Sequence, residues 1–408
     1  MTSPTFDHVV LPNGLQVLGE RSPARSVAIG AMIDAGARDE ATSDAGVSHF
    51  LEHLAFKGDG TRDAIALNRA FDSLGARYNA YTSHERTFYY GAVLPEAAVP
   101  MTDLVLSLLR PALATEDVEV ERKVVLEEIA MYHDRPASRA FERASERFFA
   151  GHPLGSSILG TTESVGALTA ERVRAYHAAR YAADHVVVVA TGAYDWPSLV
   201  ERVARATESW SPTGVPRTYP TLAPRRGVEE ERVEGVARAH LTYHAPAPSA
   251  QDPERIAAAL LARVLGDEDN GRLFWALVEP GWVEDAALWY DAADGAGTFQ
   301  ADASTDDASL ERVAGVFDAV LDRFEREGPT EEEWARAQRG FATGLTLRAE
   351  TPMGRLSGLG DAWLDRREVE TAAETVARVL ATPLEAGRAL LETRPFAARF
   401  RYALRPPL

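Results

Sequence analysis

The chain of 408 residues is too long for one ordinary hydrophobic core, which predicts two domains of about 200 residues each. Its formal net charge of −18 argues against nucleic acid as a partner, because phosphates attract basic surfaces. The absence of cysteine excludes disulfides, thiolate nucleophiles and cysteine-ligated metals, so any metal site must use His, Asp or Glu.

The opening segment and the longest apolar runs indicate where in the cell the protein is expected. MTSPTFDHVV lacks a basic segment followed by an apolar run, which argues against a leader peptide. Nowhere do about 18 consecutive apolar residues occur, so no membrane insertion is expected. Together these features predict a cytoplasmic protein.

The N-terminal half alternates strand and helix signals. In HVVLPNGLQVLGE, two apolar runs flank Asn13-Gly14, a pair suited to the positive φ angles of a tight hairpin turn. SVAIGAMIDAG predicts the next strand, and Ser43 or Asp44 is expected to cap the following helix. In chain order, the remaining signals predict a helix in RDAIALNRAFDSLGA, paired strands in RYNAYTS and RTFYYGAVL, helices in PEAAVPMTDLVLSLL and EDVEVERKVVLEEIAMYHD, and a buried strand in HVVVVATGAYD.

A segment rich in Pro, Gly, Ser and Thr, residues 208–227, has no sustained period and predicts a linker. After it the order of signals begins again, with helices predicted from Ser309 onward. We therefore expect two divergent copies of one α+β unit, in domains 1–207 and 228–408. The signals before Ser309 are a strand in RAHLTYHAPA, a helix in DPERIAAALLARVLG, and strands near AALWYDA and GTFQADAST.

The stretch SHFLEHLAF places His49, Glu52 and His53 on one predicted helix. On a helix turning about 100° per residue, these side chains project within an arc of about 100°. Two imidazoles at i and i+4 are the usual helical means of holding zinc, and a nearby carboxylate accepts a proton from the activated water. A surface helix with a few polar residues is the alternative. The apolar neighbours favour burial, where two His and a Glu need partners, so we predict a metal site.

A catalytic zinc site needs a third protein ligand from elsewhere in the chain, and EVERKVVLEEIAMYHD offers carboxylates. Glu121 and Glu128 are two helical turns apart on its apolar face, whereas Glu127 lies about 100° away. A solvated acidic surface is the commoner explanation of such a run. Their position nevertheless makes Glu121 and Glu128 the better candidates for an inward role.

The order H-x-x-E-H is the inverzincin signature. With 74 residues between His53 and Glu128, HFLEH followed by ERKVVLEEI resembles the pitrilysin family of zinc peptidases, especially shorter bacterial members related to mitochondrial processing peptidase. The resemblance covers most of Leu11 to Asp195. It extends through LPNGLQV, GARDE, HFLEHLAFKG, NAYTSHERTFYY, GHPLGSSILGT and Tyr181.

The resemblance implies an α+β fold of two homologous α/β-sandwich domains, each a mostly antiparallel sheet with helices, arranged as a clamshell around an unfolded or short peptide. It also implies peptide-bond hydrolysis with one Zn²⁺ per chain. His49, His53 and Glu128 match the family's zinc ligands, Glu52 its general base, and Glu121 the acidic residue that supports a ligand histidine.

A substrate-binding strand is implied after the metal motif. Asn79, Ala80, Tyr81 and Thr82 match the family's edge strand, on which an extended peptide adds backbone hydrogen bonds. Such main-chain pairing implies broad substrate tolerance. An ordinary sheet strand is the alternative that the residues alone would favour.

The second half departs from the family pattern. In single-chain and homodimeric members it carries an Arg and a Tyr that hold the substrate carbonyl, but here Val278 stands at the Arg position and Glu284 or Asp285 at the Tyr position. Valine cannot donate a hydrogen bond, and a carboxylate repels a developing oxyanion. The resemblance therefore implies the zinc-bearing subunit of a heterodimer, whose homologous partner supplies Arg and Tyr.

Two alternatives remain open. In a self-sufficient homodimer or monomer, Arg272, Trp282 or Tyr290 would substitute as the carbonyl donor. A noncatalytic core or scaffold subunit is the other, although such proteins can dispense with zinc residues that are intact here.

The remaining histidines are weaker metal candidates. His240 and His244 are spaced i and i+4, but HLTYH alternates like a strand, so no second metal site is expected. Four single histidines are predicted to be structural or solvent-facing: His84, His133, His152 and His177.

Overall fold

The computed structural model describes residues 4–408, so Met1 to Ser3 of the opening segment lie outside the described residues. The chain forms two compact units. The first contains the residues up to Ala130, Ser156–Tyr219 and Leu347–Thr371, and the second contains Met131–Gly155, Pro220–Thr346 and Ala372–Leu408. Each unit thus includes one segment from the other half of the sequence. The homologous domains 1–207 and 228–408 remain a prediction.

The strands form one sheet in each unit. The first sheet contains β1 (Thr5–Val10), β2 (Gln16–Arg21), β3 (Val27–Ile33), β4 (Arg77–Thr82), β5 (Thr87–Val93) and β6 (Val186–Gly192). The second contains β7 (Gly227–Arg232), β8 (Ala239–Ala247), β9 (Ala286–Ala293), β10 (Ala296–Thr305) and β11 (Phe400–Arg405).

The helices surround these sheets. In chain order they are α1 (Val47–Ala55), α2 (Ala64–Ser73), α3 (Ala98–Leu108), α4 (Thr115–His133), α5 (Pro136–Phe149), α6 (Thr162–Ala167), α7 (Ala170–Arg180), α8 (Trp196–Ala206), α9 (Arg255–Gly266), α10 (Leu310–Glu327), α11 (Glu331–Ala349), α12 (Pro352–Arg366), α13 (Ala372–Ala381) and α14 (Leu384–Glu392). A π-helical turn lies at Phe274–Val278. Among residues 4–408, no helix combines the length and apolar composition needed to cross a bilayer.

The two sheets share one topology. The first has the order β1-β2-β6-β3-β5-β4, and the second has the order β7-β11-β8-β10-β9. Each contains one parallel pair, β2 with β6 and β7 with β11, and is otherwise antiparallel. Without β1, the first sheet matches the second strand for strand. This confirms the predicted repetition of a mostly antiparallel α+β unit.

The two faces of the first sheet pack against different helices. On one face, side chains such as Ile29 and Val188 join a large core with residues of α1, α2, α3, α4, α7 and α8. On the other, Met32 and Val189 pack against Leu356 and Leu359 of α12. Because both faces are covered, β3 and β6 are buried throughout, which explains their continuous apolar sequences.

The second sheet is covered in the same way. Phe299 and residues of β8 pack with α9, α10 and α11 on one face. On the other face, Phe148 and its neighbours on α5 pack against Phe400 and Tyr402 of β11. The sequence interpretation did not identify α5, β7 or β11.

The turn between β1 and β2 confirms the predicted hairpin. Gly14 has φ 89°, a left-handed conformation that favours glycine, and β1 pairs antiparallel with β2. The predicted linker, residues 208–227, contains no helix or strand before β7 begins at Gly227.

The packing of α12 can be tested with one leucine pair. Leu359 is fully buried on the sheet, whereas Leu347 on α11 is 60% exposed. We expect Leu359→Ala to lower the free energy of unfolding by about 2–5 kcal/mol, because it removes buried apolar atoms and leaves a cavity. Leu347→Ala is the matched control, with an expected change within about 0.5 kcal/mol. Equal midpoints for the two variants in urea unfolding would contradict this packing.

Candidate metal centre

Helix α1 is fixed by its apolar side. Phe50, Leu51 and Leu54 are each 1% exposed or less and lie in the core of the first unit. Since these positions face inward, the polar residues of the same helix must project together on its other side. His49 itself is only 8% exposed.

The start of α1 differs from the sequence prediction. Ser43 and Asp44 lie in a preceding 3₁₀ turn, and neither caps the helix. The N-cap is Gly46, with φ 93°, where an added Cβ would lie 2.5 Å from the Leu159 carbonyl oxygen. The Glu40 carboxylate accepts hydrogen bonds from the backbone N–H groups of Gly46 and Ser48, both at 2.7 Å. The carboxylate of Glu40, rather than the side chain of Ser43 or Asp44, therefore binds the free N–H groups at the start of the helix.

The three predicted ligands meet between α1 and α4. The Glu128 Oε2 atom lies 3.4 Å from His53 Nε2 and 3.7 Å from His49 Nε2. One ligand atom from each residue falls within 4.8 Å of the others. In a tetrahedral zinc site with bonds of about 2.0–2.1 Å, neighbouring ligand atoms are separated by about 3.3 Å. The spacing of the two imidazoles and the carboxylate therefore fits a zinc ion.

His49 has the protonation state of a ligand. Burial, with a smaller contribution from the nearby His53, lowers the pKa of His49 to about 4. Its ring is therefore neutral near pH 7 and keeps one nitrogen lone pair available. Nδ1 of His49 is buried without a hydrogen-bond partner within residues 4–408.

Glu121 holds the second imidazole. His53 Nδ1 and Glu121 Oε1 are 2.7 Å apart, a distance at which the protonated nitrogen donates to the carboxylate. Burial alone would lower the pKa of His53, but the hydrogen bond and charge of Glu121 outweigh it and raise that pKa. With Nδ1–H directed at Glu121, Nε2 faces Glu128, as a metal ligand requires.

Lys57 completes this support and was not singled out by the sequence interpretation. Its Nζ lies 2.5 Å from Glu121 Oε2. Burial alone would raise the pKa of Glu121, but the hydrogen bonds from His53 and Lys57 outweigh it, so the pKa lies below the usual carboxyl value. Lys57 lies two residues after the end of α1, in the sequence HLAFK. Its closeness to the metal motif was a signal for this role, but the sequence pattern alone does not distinguish it from an ordinary surface lysine.

Glu52 and the predicted substrate strand are linked by one hydrogen bond. Thr82 Oγ1 donates to Glu52 Oε2 at 2.6 Å. Burial raises the pKa of Glu52 above the usual carboxyl value. Thr82 ends β4, one of the two edge strands of the first sheet, and Asn79, Ala80 and Tyr81 lie on the same strand. The end of β4 at Thr82 therefore lies next to Glu52 of the metal motif.

The other histidines lie outside this cluster. His240 and His244 are on β8 as the alternation predicted, and His244 is fully buried among aromatic rings. His177 Nε2 lies 2.9 Å from the carbonyl oxygen of Leu109. Within residues 4–408, the cluster of metal-ligating side chains is His49, His53 and Glu128.

Two of the three substitute carbonyl donors, Arg272 and Tyr290, are already hydrogen-bonded within the second unit. Arg272 donates to both carboxylate oxygens of Glu333, at 2.7 and 2.8 Å, and to the carbonyl oxygen of Gly328 at 2.9 Å. Tyr290 donates its hydroxyl to the carbonyl oxygen of Pro248 at 2.6 Å. Either side chain would have to leave these partners to bind a substrate carbonyl.

An inverted H-x-x-E-H helix whose imidazoles meet a glutamate of a second helix, on a duplicated α+β fold, is the arrangement of the inverzincin class of metallopeptidases. The family model described as "Insulinase (Peptidase family M16)" matches residues 16–162, and "Peptidase M16 inactive domain" matches residues 167–341. The chain belongs to this M16 family, which confirms the pitrilysin-family prediction.

Relatives agree with this assignment. The chain is 33% identical over 407 residues to an "Uncharacterized zinc protease" from Mycobacterium tuberculosis (strain ATCC 25618 / H37Rv), covering 95% of this chain and 91% of the relative. The fold of the present chain resembles that of a protease from Helicobacter pylori, with a TM-score of 0.89 and 18% identity. The match covers 99% of this chain and 100% of the Helicobacter chain. The fold also resembles a structure from Pseudomonas fluorescens described as a peptidase M16 inactive domain, with a TM-score of 0.92, 16% identity, and 99% coverage of both chains.

The role of Glu121 can be tested by metal affinity. We expect Glu121→Gln to weaken zinc binding by about 10–100-fold, because the neutral amide orients and polarises His53 less strongly. Glu127→Gln on the exposed side of α4 is the matched control and should bind zinc like the unmodified chain. Competition with a zinc chelator measures both constants. Equal affinities for the two variants would remove Glu121 from the support of the site.

Proposed function

We propose that the chain is a zinc metallopeptidase that hydrolyses peptide bonds in unfolded or short peptides, as an endopeptidase or oligopeptidase. One observation carries the proposal: His49 and His53 face Glu128 at 3.7 and 3.4 Å, and Glu52 projects from the same helix. Membership of the M16 family and the zinc-protease names of its relatives support the same reaction.

His49, His53 and Glu128 would hold the ion, which when bound supplies Lewis acidity that polarises a carbonyl and activates water. Glu52 accepts a proton from the attacking water and passes it to the leaving amine. Its burial supports this role, since a carboxyl group with a raised pKa exchanges protons more readily near neutral pH. The hydroxyl of Thr82 fixes one Glu52 oxygen and leaves the other for this transfer.

The substrate would lie along β4. An extended peptide that pairs with the open edge of this strand is bound by backbone hydrogen bonds, which depend little on the peptide sequence. Asn79, Ala80, Tyr81 and Thr82 supply these groups. Because Thr82 is bonded to Glu52, a peptide in this register passes directly beside the general base.

A homologous partner subunit would complete the site. Val278 and the acidic residues Glu284 and Asp285 offer no hydrogen-bond donor for an oxyanion, while Arg272 and Tyr290 are already bonded. A second M16 chain that carries an Arg and a Tyr at these positions supplies the missing donors in a heterodimer. The isolated chain is then weakly active or inactive.

The general base is tested in the complete complex. We expect Glu52→Gln to reduce kcat by about 100- to 10,000-fold, because the amide cannot accept the proton. Zinc content should remain at one ion per chain, since Glu52 is not a ligand. The control is again Glu127→Gln, which should keep full turnover. If Glu52→Gln leaves peptide cleavage or the biological role unchanged, the noncatalytic scaffold alternative is favoured.

The partner requirement is tested by reconstitution. Zinc-loaded chain alone should cleave an unstructured peptide slowly, and addition of a homologous Arg- and Tyr-bearing chain should raise turnover about 100-fold or more. A partner whose Arg and Tyr are replaced by Val and Phe controls for assembly without the donors. Full turnover by the homogeneous chain would instead support a self-sufficient enzyme, and Tyr290→Phe and Arg272→Gln would then identify its donor.

A further inference from the structure

The first unit contains a cavity of about 440 Å³ that shares no residue with the metal centre. Tyr181, Ala182 and Trp210 are buried and form its inner wall, whereas Ser209 and Ser211 are exposed at its rim. Its volume falls in the range of about 300–1,000 Å³ that small-molecule sites occupy. The remaining lining residues are Arg110, His177, Ala178 and Thr213.

Arg110 is the charged group of this cavity. Its guanidinium carbon lies 3.5 Å from the centre of the Trp210 ring, so the planar group is stacked on the indole. Arg110 Nη1 donates to the carbonyl oxygen of Leu109 at 2.7 Å. Within residues 4–408, this is the one hydrogen bond made by the Arg110 side chain. The other nitrogens of the fork are therefore available to a ligand.

Arg110 has no acidic partner among the described residues, unlike several other largely buried arginines of this unit. Arg86, for example, pairs with Asp361 and Asp365, and Arg217 pairs with Asp34. No carboxylate lies within 4.0 Å of the Arg110 guanidinium among the described residues, and none lines the cavity. Burial lowers the pKa of Arg110 to about 10, which leaves it positively charged near pH 7.

The neighbouring groups add donors and apolar surface. His177 is held by its hydrogen bond to the Leu109 carbonyl oxygen, and burial lowers its pKa to about 4, so its ring is neutral near pH 7 and Arg110 supplies the positive charge of the cavity. The hydroxyl groups of Ser209 and Ser211 lie at the rim with the exposed Ala178, while Ala182 provides an apolar wall. In a chain of net charge −18, this is a positive, acid-free recess.

We infer that this cavity is a binding site for a small organic anion, with one oxyanion group against Arg110 and an apolar body against Ala182 and Trp210. A planar guanidinium matches carboxylate or phosphoryl oxygens in a two-bond geometry. The stack on Trp210 holds that plane in place before the ligand arrives. The inference does not depend on the proposed peptidase function.

Three probes with the same ring test the site on the full-length chain. Benzoate and phenyl phosphate present a carboxylate and a phosphoryl group, and benzamide is uncharged. Titration calorimetry should give saturable binding of one or both anions with a Kd below about 1 mM, and no saturable binding of benzamide. Whichever anion binds more tightly identifies the preferred oxyanion.

Matched variants locate the binding. Arg110→Gln should raise the Kd of the anion about tenfold or more, whereas Arg69→Gln, the same change at an exposed position of α2, should leave it unaltered. Ala178→Trp narrows the rim without removing any charge and should also abolish binding. Should Arg110→Gln unfold, Arg110→Lys keeps the charge without the planar fork and should weaken binding.

The inference is overturned by absence of saturable anion binding, by equal binding of benzamide, or by equal losses in Arg110→Gln and Arg69→Gln. Binding that survives both Arg110→Lys and Ala178→Trp also overturns it. Zinc binding in parallel samples should be unchanged by each variant, because none of the cavity residues lies in the metal centre.

Discussion

The burial of one short helix determines the chemistry of the first unit. Phe50, Leu51 and Leu54 can lie in the core only when α1 has one rotation about its axis. That rotation directs both imidazoles and the carboxylate of Glu52 away from the core, toward α4 and β4. The hydrophobic effect thus supplies the orientation, and one hydrogen bond each then fixes two of the three polar side chains. Glu121 is the partner of His53, and Thr82 is the partner of Glu52.

Much of this could be predicted from sequence because it depends on short-range periodicity. The i, i+3 and i+4 spacing on α1 and the seven-residue spacing on α4 identify one face of each helix, and the resemblance to a known family identifies the two helices as partners. Contacts that fall outside a standard helix or strand pattern could not be predicted. Glu40 caps α1 from outside any capping pattern, and Lys57 acquires its role only because α4 lies opposite. The sequence of β7, GVEEER, does not predict a strand, because four of its six residues are charged. This segment forms a strand because it pairs with β11.

Two arginines differ in whether their guanidinium donors are available to a ligand. Arg272 donates from Nε and Nη2 to Glu333 and a carbonyl oxygen, so these donors are occupied within the second unit. Arg110 is stacked on Trp210 with one carbonyl contact, which fixes its plane and leaves donors unused. Sequence alone assigns both to the same class, because partnership is decided by the fold. The repeated topology shows the same dependence on context. β9 occupies in the second sheet the edge position that β4 occupies in the first, but among residues 4–408 the cluster of metal-ligating side chains lies only in the first unit.

Each sheet owes the cover on one of its faces to a helix from the opposite half of the gene product. Helix α12 seals Met32 and Val189, and α5 seals Phe400 and Tyr402. During synthesis on the ribosome, one apolar face of the first sheet remains exposed until α12 has been made, when roughly the last tenth of the chain is being synthesised. Cleavage of the chain near residue 215 would place each covering helix on a different fragment from the sheet that it covers. Neither fragment would then contain a complete folding unit. Each unit therefore depends on chain segments from both halves of the sequence.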